Sequence, residues 1–352
     1  MEEKKKPVLG ITLGDINGIG PQIILKALSN ERIFNKCQVV IFGSESVLQF
    51  YKKQFPNLKT PFHVLAKDEK YHSKMVNLVE CSDKPLTVNM GISSDFSGSM
   101  SVRFLNEALQ YFQAGKIDAL VTGPVNKEFV KTNPPFTGHT EFIAQKLNEK
   151  DPMMIMTSEY LRVALASHHL ALKEVSSKLN AAVLLQKIKT LNESLSIDFG
   201  IQRPKIAVLA LNPHSGEGGK IGTEEQEIII PALKKAEDQK IIVQGPFAAD
   251  GFFASNKFQH FDGVLAMYHD QGLIPFKYIA GMEGVNFTAN LNIVRTSPDH
   301  GVALDIVDKG EADPQSMTHA IYEALDILQM RTKMKQYHEK PLAKLEIKDL
   351  ER

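Results

Sequence analysis

Short apolar runs of strand length alternate with segments of helical period along most of the 352 residues, and this alternation is the strongest constraint on the fold. It predicts an α/β protein built on an open, mostly parallel sheet. Strands are expected at residues 8–13, 39–42, 119–122, 161–166, 206–211, 241–243 and 263–267. Helices are expected at 21–28, 102–113, 140–147, 183–195, 223–236 and 315–330. Pro21 suits a first helical position, Ser44 can cap the helix after the second strand, and Thr223 with Gln226 has capping-box spacing. No linker composition, repeat or low-complexity tract divides the chain. The charged stretch 333–352 reads as a surface helix or a frayed tail.

The length suits two domains or one large one. Lys plus Arg and Asp plus Glu both total 41, so the formal charge is zero. That balance argues against nucleic acid or an anionic membrane as the main partner, and any anionic ligand must be held by a local cluster. Cys37 and Cys81 are the only cysteines, which excludes a disulfide framework and a thiolate metal site. The charged start does not resemble a signal peptide, and no apolar stretch approaches the ~20 residues of a membrane helix. The expected setting is the cytoplasm.

Three of the strand-like runs lead into a histidine. His169 lies in Ser-His-His-Leu-Ala-Leu after 161–166, His214 in Asn-Pro-His-Ser-Gly-Glu-Gly-Gly after 206–211, and His269 in Met-Tyr-His-Asp-Gln-Gly after 263–267. Groups just past the carboxyl ends of strands face the ligand crevice of an open α/β sheet. Three imidazoles delivered in this way could meet on one divalent metal and leave coordination positions open for substrate. Taken singly, a histidine after a strand is more often a hydrogen-bonded structural or surface residue. Their wide separations, 45 and 55 residues by position number, carry no local signature.

Other segments carry weaker signals. The turn Gly14-Asp15-Ile16-Asn17-Gly18-Ile19-Gly20 fails as a dinucleotide fingerprint, because Ile23 stands where the third glycine belongs. It reads first as a tight turn feeding a helix. His139 and Thr140 open a helix, where exposed N–H groups favour an anion; the plainer alternative is that Thr140 is an N-cap. The glycines around His214 and Glu217 would let backbone approach a ligand closely. Lys277, Asn286 and Arg295 are donors suited to a phosphate or carboxylate, although each alone reads first as an exposed surface group.

Together these motifs resemble the PdxA family, the 4-hydroxythreonine-4-phosphate dehydrogenases of pyridoxal phosphate biosynthesis. The likeness runs from Leu9 to about Met330. It includes Gly-Asp-x-x-Gly-Ile-Gly-Pro, Thr-Gly-Pro-Val-Asn-Lys, Gly-His-Thr-Glu-Phe, Leu-Asn-Pro-His-Ser-Gly-Glu-Gly-Gly, Tyr-His-Asp-Gln-Gly and Arg-Thr-Ser-Pro-Asp-His-Gly. The resemblance implies the two-domain α/β/α fold of isocitrate and isopropylmalate dehydrogenases, with the active site in the interdomain cleft. Residues 1–130 plus 281–352 would form the cofactor-side domain, and 131–280 the metal-binding and dimerisation domain.

It also implies one divalent metal (zinc, magnesium or cobalt) on His169, His214 and His269, in a site shared by the two subunits of a homodimer. The implied substrate contacts fall on His139, Thr140, Lys277, Asn286 and Arg295, and the substrate is a small phosphorylated hydroxy amino acid. NAD or NADP would lie against His300, Gly301 and Asp305. Asp250 and Lys127 are the candidates for the general base.

The chain departs from the family pattern at Ile16-Asn17 and Gln22, at His168 before His169, and at Ala248-Ala249 before Asp250. His169 is preferred over His168 because the following Leu-x-Leu sets the register. Two alternatives share the architecture: dehydrogenation of 4-phospho-threonate or 4-phospho-erythronate, and phosphate acyl transfer.

Overall fold

Every strand expected from the apolar runs forms in the computed structural model, which describes residues 6–167 and 170–339. In chain order the strands are β1 (Val8–Thr12), β2 (Gln38–Gly43), β3 (Phe62–Val64), β4 (Val76–Glu80), β5 (Ala119–Thr122), β6 (Met153–Thr157), β7 (Arg162–Leu165), β8 (Lys205–Leu209), β9 (Ile242–Phe247), β10 (Gly263–Ala266), β11 (Val285–Ala289) and β12 (Val294–Pro298). They join in one mixed sheet of order β3-β4-β2-β1-β5-β12-β11-β6-β7-β10-β8-β9. Strands β1, β5 and β10 are buried along their whole length, as expected where helices cover both faces of a sheet.

The strand directions matter more than the count. From β3 to β12 all neighbours are parallel, and so are all neighbours from β7 to β9. Between these blocks, β11 is antiparallel to β12 and to β6, and β6 is antiparallel to β7. The two parallel blocks therefore run in opposite directions, and their carboxyl ends open at opposite edges of the sheet. The ends of β7, β8 and β10, which lead to the histidines, do not share an edge with the ends of β1, β5 and β12.

Helix positions follow the expectations with adjusted ends, and two caps differ. Ser44 sits at the N-cap of Glu45–Gln54, but its hydroxyl turns to Ser46 and Glu80, and the Glu80 carboxylate accepts from the Glu45 N–H at 2.7 Å. The segment after Thr223 starts as a π-turn, Glu225–Ile229, before Ile230–Asp238, so no side-chain capping box forms there. The last helix runs Gln315–Glu339, which includes the start of the charged stretch; the rest of that stretch lies outside the described residues. Among the described residues no helix is long and apolar enough to cross a membrane. Cys37 and Cys81 are free and buried, and burial pushes both thiols up to about 12.

Candidate active site

Strands β7, β10 and β8 are consecutive in the sheet and parallel, so the segments beyond their carboxyl ends emerge side by side. Those ends are also tied together. The Ser167 hydroxyl donates to the Met267 carbonyl at 2.7 Å, and Gln271 spans from the Met267 N–H to the Ala210 carbonyl. His269 is exposed at the first position of helix His269–Ala280, with Nδ1 2.6 Å from the Asp270 carboxylate. That contact engages Nδ1 and not Nε2. His168 and His169 lie outside the described residues.

His214 sits in a loop of unusual backbone. Residues 214 to 218 all have φ between 43° and 74°, including the non-glycine residues His214, Ser215 and Glu217. A left-handed conformation costs an L-residue about 1–2 kcal/mol, so the loop needs outside support. The buried Glu225 carboxylate supplies it, accepting from the N–H groups of Leu211 and Asn212, both at 2.8 Å, and from Asn212 Nδ2 at 3.0 Å. Ser215 anchors the other side on the Pro246 carbonyl at 3.2 Å. His214 itself remains exposed.

A second cluster forms at the seam between the two blocks. Arg295, on β12, is 2% exposed and donates to threonine hydroxyls on both neighbouring strands: Nη2 to Thr122 at 2.6 Å on β5, and Nη1 to Thr288 at 3.1 Å on β11. Thr288 in turn meets the Thr140 hydroxyl at 3.2 Å. Burial pushes the guanidinium down to about 9, with Glu141 opposing, so it stays charged at neutral pH. Desolvation, then the charges of Arg295 and Lys127, hold the His139 imidazolium well below its usual range, against Glu141. His139 is therefore neutral. Thr140 is no N-cap: Gly138 occupies that place, and Thr140 is buried at the second helical position, its hydroxyl 3.2 Å from that of Thr288. A buried cation held by neutral hydroxyls beside a neutral imidazole is suited to an anion.

Helix His269–Ala280 runs back from β10 and delivers Lys277 to Asp299, with Nζ 3.0 Å from Oδ1 and also donating to the Asp299 carbonyl at 3.0 Å. Burial raises the Asp299 carboxyl, while Lys277, His300 and His269 oppose the shift. Asn286 turns Nδ2 toward the Met154 sulfur at 3.5 Å, and its buried Oδ1 has no hydrogen-bond partner among the described residues. His300 likewise has a buried Nε2 with no partner among the described residues, while its Nδ1 lies 3.0 Å from the Gly301 carbonyl. Gly301 and Asp305 are exposed on the same segment.

The glycine-rich turn proves to be a buried support for that segment. The Ile19 N–H donates to the Val302 carbonyl at 3.0 Å, and Tyr51 bonds the carbonyls of Ile16 and Gly18. Gly14, at φ 72°, has no room for a side chain: a Cβ there would stand 2.3 Å from the Pro124 carbonyl oxygen. Of the two candidate bases, Lys127 follows β5 and its charge reaches His139, whereas Asp250 is exposed on the short helix Ala249–Ala254 between β9 and β10.

Sequence reasoning missed Thr122, Thr288, Asp299 and Glu225. A threonine ending a strand, or a glutamate in a helical segment, has no local signal. Only their partners give them roles.

The chain matches the model of the pyridoxal phosphate biosynthetic protein PdxA over residues 35–324. It is 41% identical over 344 residues to a 4-hydroxythreonine-4-phosphate dehydrogenase of Bacteroides thetaiotaomicron, covering 97% of this chain and 94% of that protein. A Desulforapulum autotrophicum protein of the same name is 40% identical, covering 90% and 94%. The crystal structure of 4-hydroxythreonine-4-phosphate dehydrogenase from Klebsiella pneumoniae superposes with a TM-score of 0.79 at 31% identity, covering 92% of this chain and all of that one. Sequence motifs, sheet order and full-length similarity thus converge, and the chain belongs to the PdxA family.

Proposed function

We propose that this dehydrogenase oxidises the secondary alcohol of 4-phosphohydroxy-L-threonine with NAD or NADP, in pyridoxal phosphate biosynthesis. The resulting 3-oxo acid loses CO2 to give 3-amino-2-oxopropyl phosphate. The observation that carries the reading is the buried Arg295 on its threonine hydroxyls beside neutral His139, a ready anion site in a chain of zero net charge. Full-length similarity to proteins named for this reaction supports the choice of substrate.

His214 and His269, with His169 as the third ligand, are the residues that would hold one divalent metal. Their fit rests on His269, an exposed imidazole whose Nδ1 is held by Asp270 as metal-binding imidazoles commonly are, and on the strained, braced loop that presents His214. The segment bearing His300, Gly301 and Asp305 would hold the nicotinamide cofactor; the orphaned Nε2 of His300 awaits a hydrogen-bond partner there. Held by these residues, the metal would supply Lewis acidity and the nicotinamide would supply the hydride acceptor.

This chain's residues do the positioning. Arg295, Thr140 and His139 grip one charged end of the substrate, and Lys277 supplies a cation for the other. Asn286 offers an unpartnered oxygen to a donor such as the substrate amine. Binding energy gathered at the remote phosphate holds the reacting carbon in place. Lys127 is the better-placed base, because it shares the His139 cluster; Asp250 is the second candidate.

We further propose a cytoplasmic homodimer in which residues 1–130 plus 281–352 and residues 131–280 close about the β11–β6 seam. The exposed apolar side chains of Ile274, Tyr278 and Met282, one of them 90% exposed, suit a subunit contact beside the metal ligands. The opposite edges of the two strand blocks support a site completed by a second subunit.

The decisive experiment follows NADH and NADPH formation from 4-phosphohydroxy-L-threonine, 4-phospho-threonate and 4-phospho-erythronate, with and without divalent metal. Turnover of either sugar acid but not of the amino acid would move the assignment to that substrate. Activity that survives chelation, in His214→Ala as well, would remove the metal from the reading.

A further inference from the structure

A second group of metal-ligating side chains lies at the far edge of the sheet, away from β7, β10 and β8. His63 is on β3, the outermost strand, and Glu69 and His72 lie in the connection from β3 to β4. One donor atom from each of the three lies within 4.8 Å of the others. His63 Nε2 is 2.9 Å and 3.1 Å from the two Glu69 oxygens, and His72 Nε2 is 3.6 Å from Oε1. The imidazole rings stand 4.6 Å apart at 72°, edge to face, so both Nε2 atoms converge on one carboxylate.

The backbone around the trio is already fixed. The Ala66 N–H donates to Glu69 Oε2 at 2.8 Å and orients the carboxylate. The fully buried Asn77 brackets His72, accepting from its N–H at 2.7 Å and donating to its carbonyl at 3.0 Å. The convergence therefore does not depend on three loose surface side chains.

We propose that His63, Glu69 and His72 bind a divalent cation of the zinc type. Two imidazoles and one carboxylate suit zinc, leaving a fourth position for water; they are poor ligands for magnesium or calcium, which prefer all-oxygen sets. The ion replaces the present contact of His63 with Glu69, and each imidazole binds through Nε2 in its neutral form. Lys67, Lys70 and Lys74 on the same connection oppose a cation, while Glu69 and nearby Asp68 offset part of their charge. The ion would clip the connection onto the edge strand, where exposed N–H and C=O groups otherwise invite pairing with another chain.

The test counts metal. Full-length protein is stripped with chelator, equilibrated with Zn2+, freed of unbound metal by gel filtration and assayed for zinc per chain. His63→Ala, Glu69→Gln and His72→Ala are each expected to retain one equivalent fewer than the unmodified chain, with unchanged circular dichroism. His214→Ala reports separately on the proposed three-histidine site, so loss there and loss here are distinguishable whichever reading fails. Co2+ gives a second readout: visible absorption of a tetrahedral ion should weaken in His72→Ala and Glu69→Gln alike. Zinc retention and cobalt spectra unchanged in all three variants overturn the proposal.

Discussion

Arg295 is 2% exposed and tied by threonines from both neighbouring strands, whereas His214 and His269 lie exposed on segments beyond the strand ends. The two regions meet different physical demands. A buried guanidinium must have its donors satisfied, because an unpaired buried charge costs several kcal/mol. Threonine hydroxyls do this without adding a counter-charge of their own, and Glu141 offsets only part of the effect of burial. Metal-ligating imidazoles must keep a lone pair free, so their support is built one step back, in Asp270 and in the Glu225 cage. The arginine is supported directly; the histidines are supported through their neighbours.

The contrast can be broken first on the histidine side. His214→Ala or His269→Ala should abolish metal retention and lower kcat by about a thousandfold or more, since Lewis-acid stabilisation is worth several kcal/mol. Metal analysis beside steady-state rates checks this, and wild-type turnover in either variant would end the metal reading. On the arginine side, Arg295→Met should lower kcat/KM by about 100- to 1,000-fold, within the ~2–5 kcal/mol cost of losing one partner of a buried charge contact. Arg295→Lys should recover little of it, because one ammonium cannot reproduce the planar fork that reaches Thr122 and Thr288.

The remaining effects are smaller. Tyr278→Asp should shift the chain toward monomer in light scattering, with activity rising on concentration if the site is shared. Glu225→Gln keeps the shape of the cage but replaces a charged acceptor; denaturant unfolding should show a loss of about 1–3 kcal/mol, with no change in the anion-binding cluster.

The smallest effect is a pH slope. The folded pKa of His139 is depressed below its unfolded value, so the unfolded chain binds the proton first as pH falls. Stability from this group is complete above about pH 6.5 and is lost as pH drops toward the folded pKa. His139→Gln should therefore flatten the fall in stability between neutral and mildly acidic pH. An unchanged slope in denaturant titrations would show that His139 is not the group responsible.

How far the site was legible varied with the range of the interactions. His139, Thr140, Lys277, Asn286 and Arg295 were visible because donor residues sat in recognisable motifs, and the structure gathers His139, Thr140 and Arg295 into one cluster. Thr122 and Asp299 lay inside quoted motifs but carried no signal of a role, and Thr288 and Glu225 lay outside them, since each acquires its role only from the partner the fold brings to it. The caps at Ser44 and Thr223 were misread for the same reason: Glu80, from another strand, supplies the first, and a π-turn displaces the second.

By itself the sequence determined the α/β class, seven of the twelve strands (not β3, β4, β6, β11 or β12) and the three histidines past strand ends. Those follow from local periodicity, and β-type runs buried on both faces leave little alternative. Only the tertiary structure decided that the two parallel blocks run in opposite directions, that β7, β10 and β8 lie side by side, and that the buried Arg295 rests on hydroxyls from two strands. Those features depend on how strands pair across long separations, and on side chains that meet only after they pair. No local pattern encodes either.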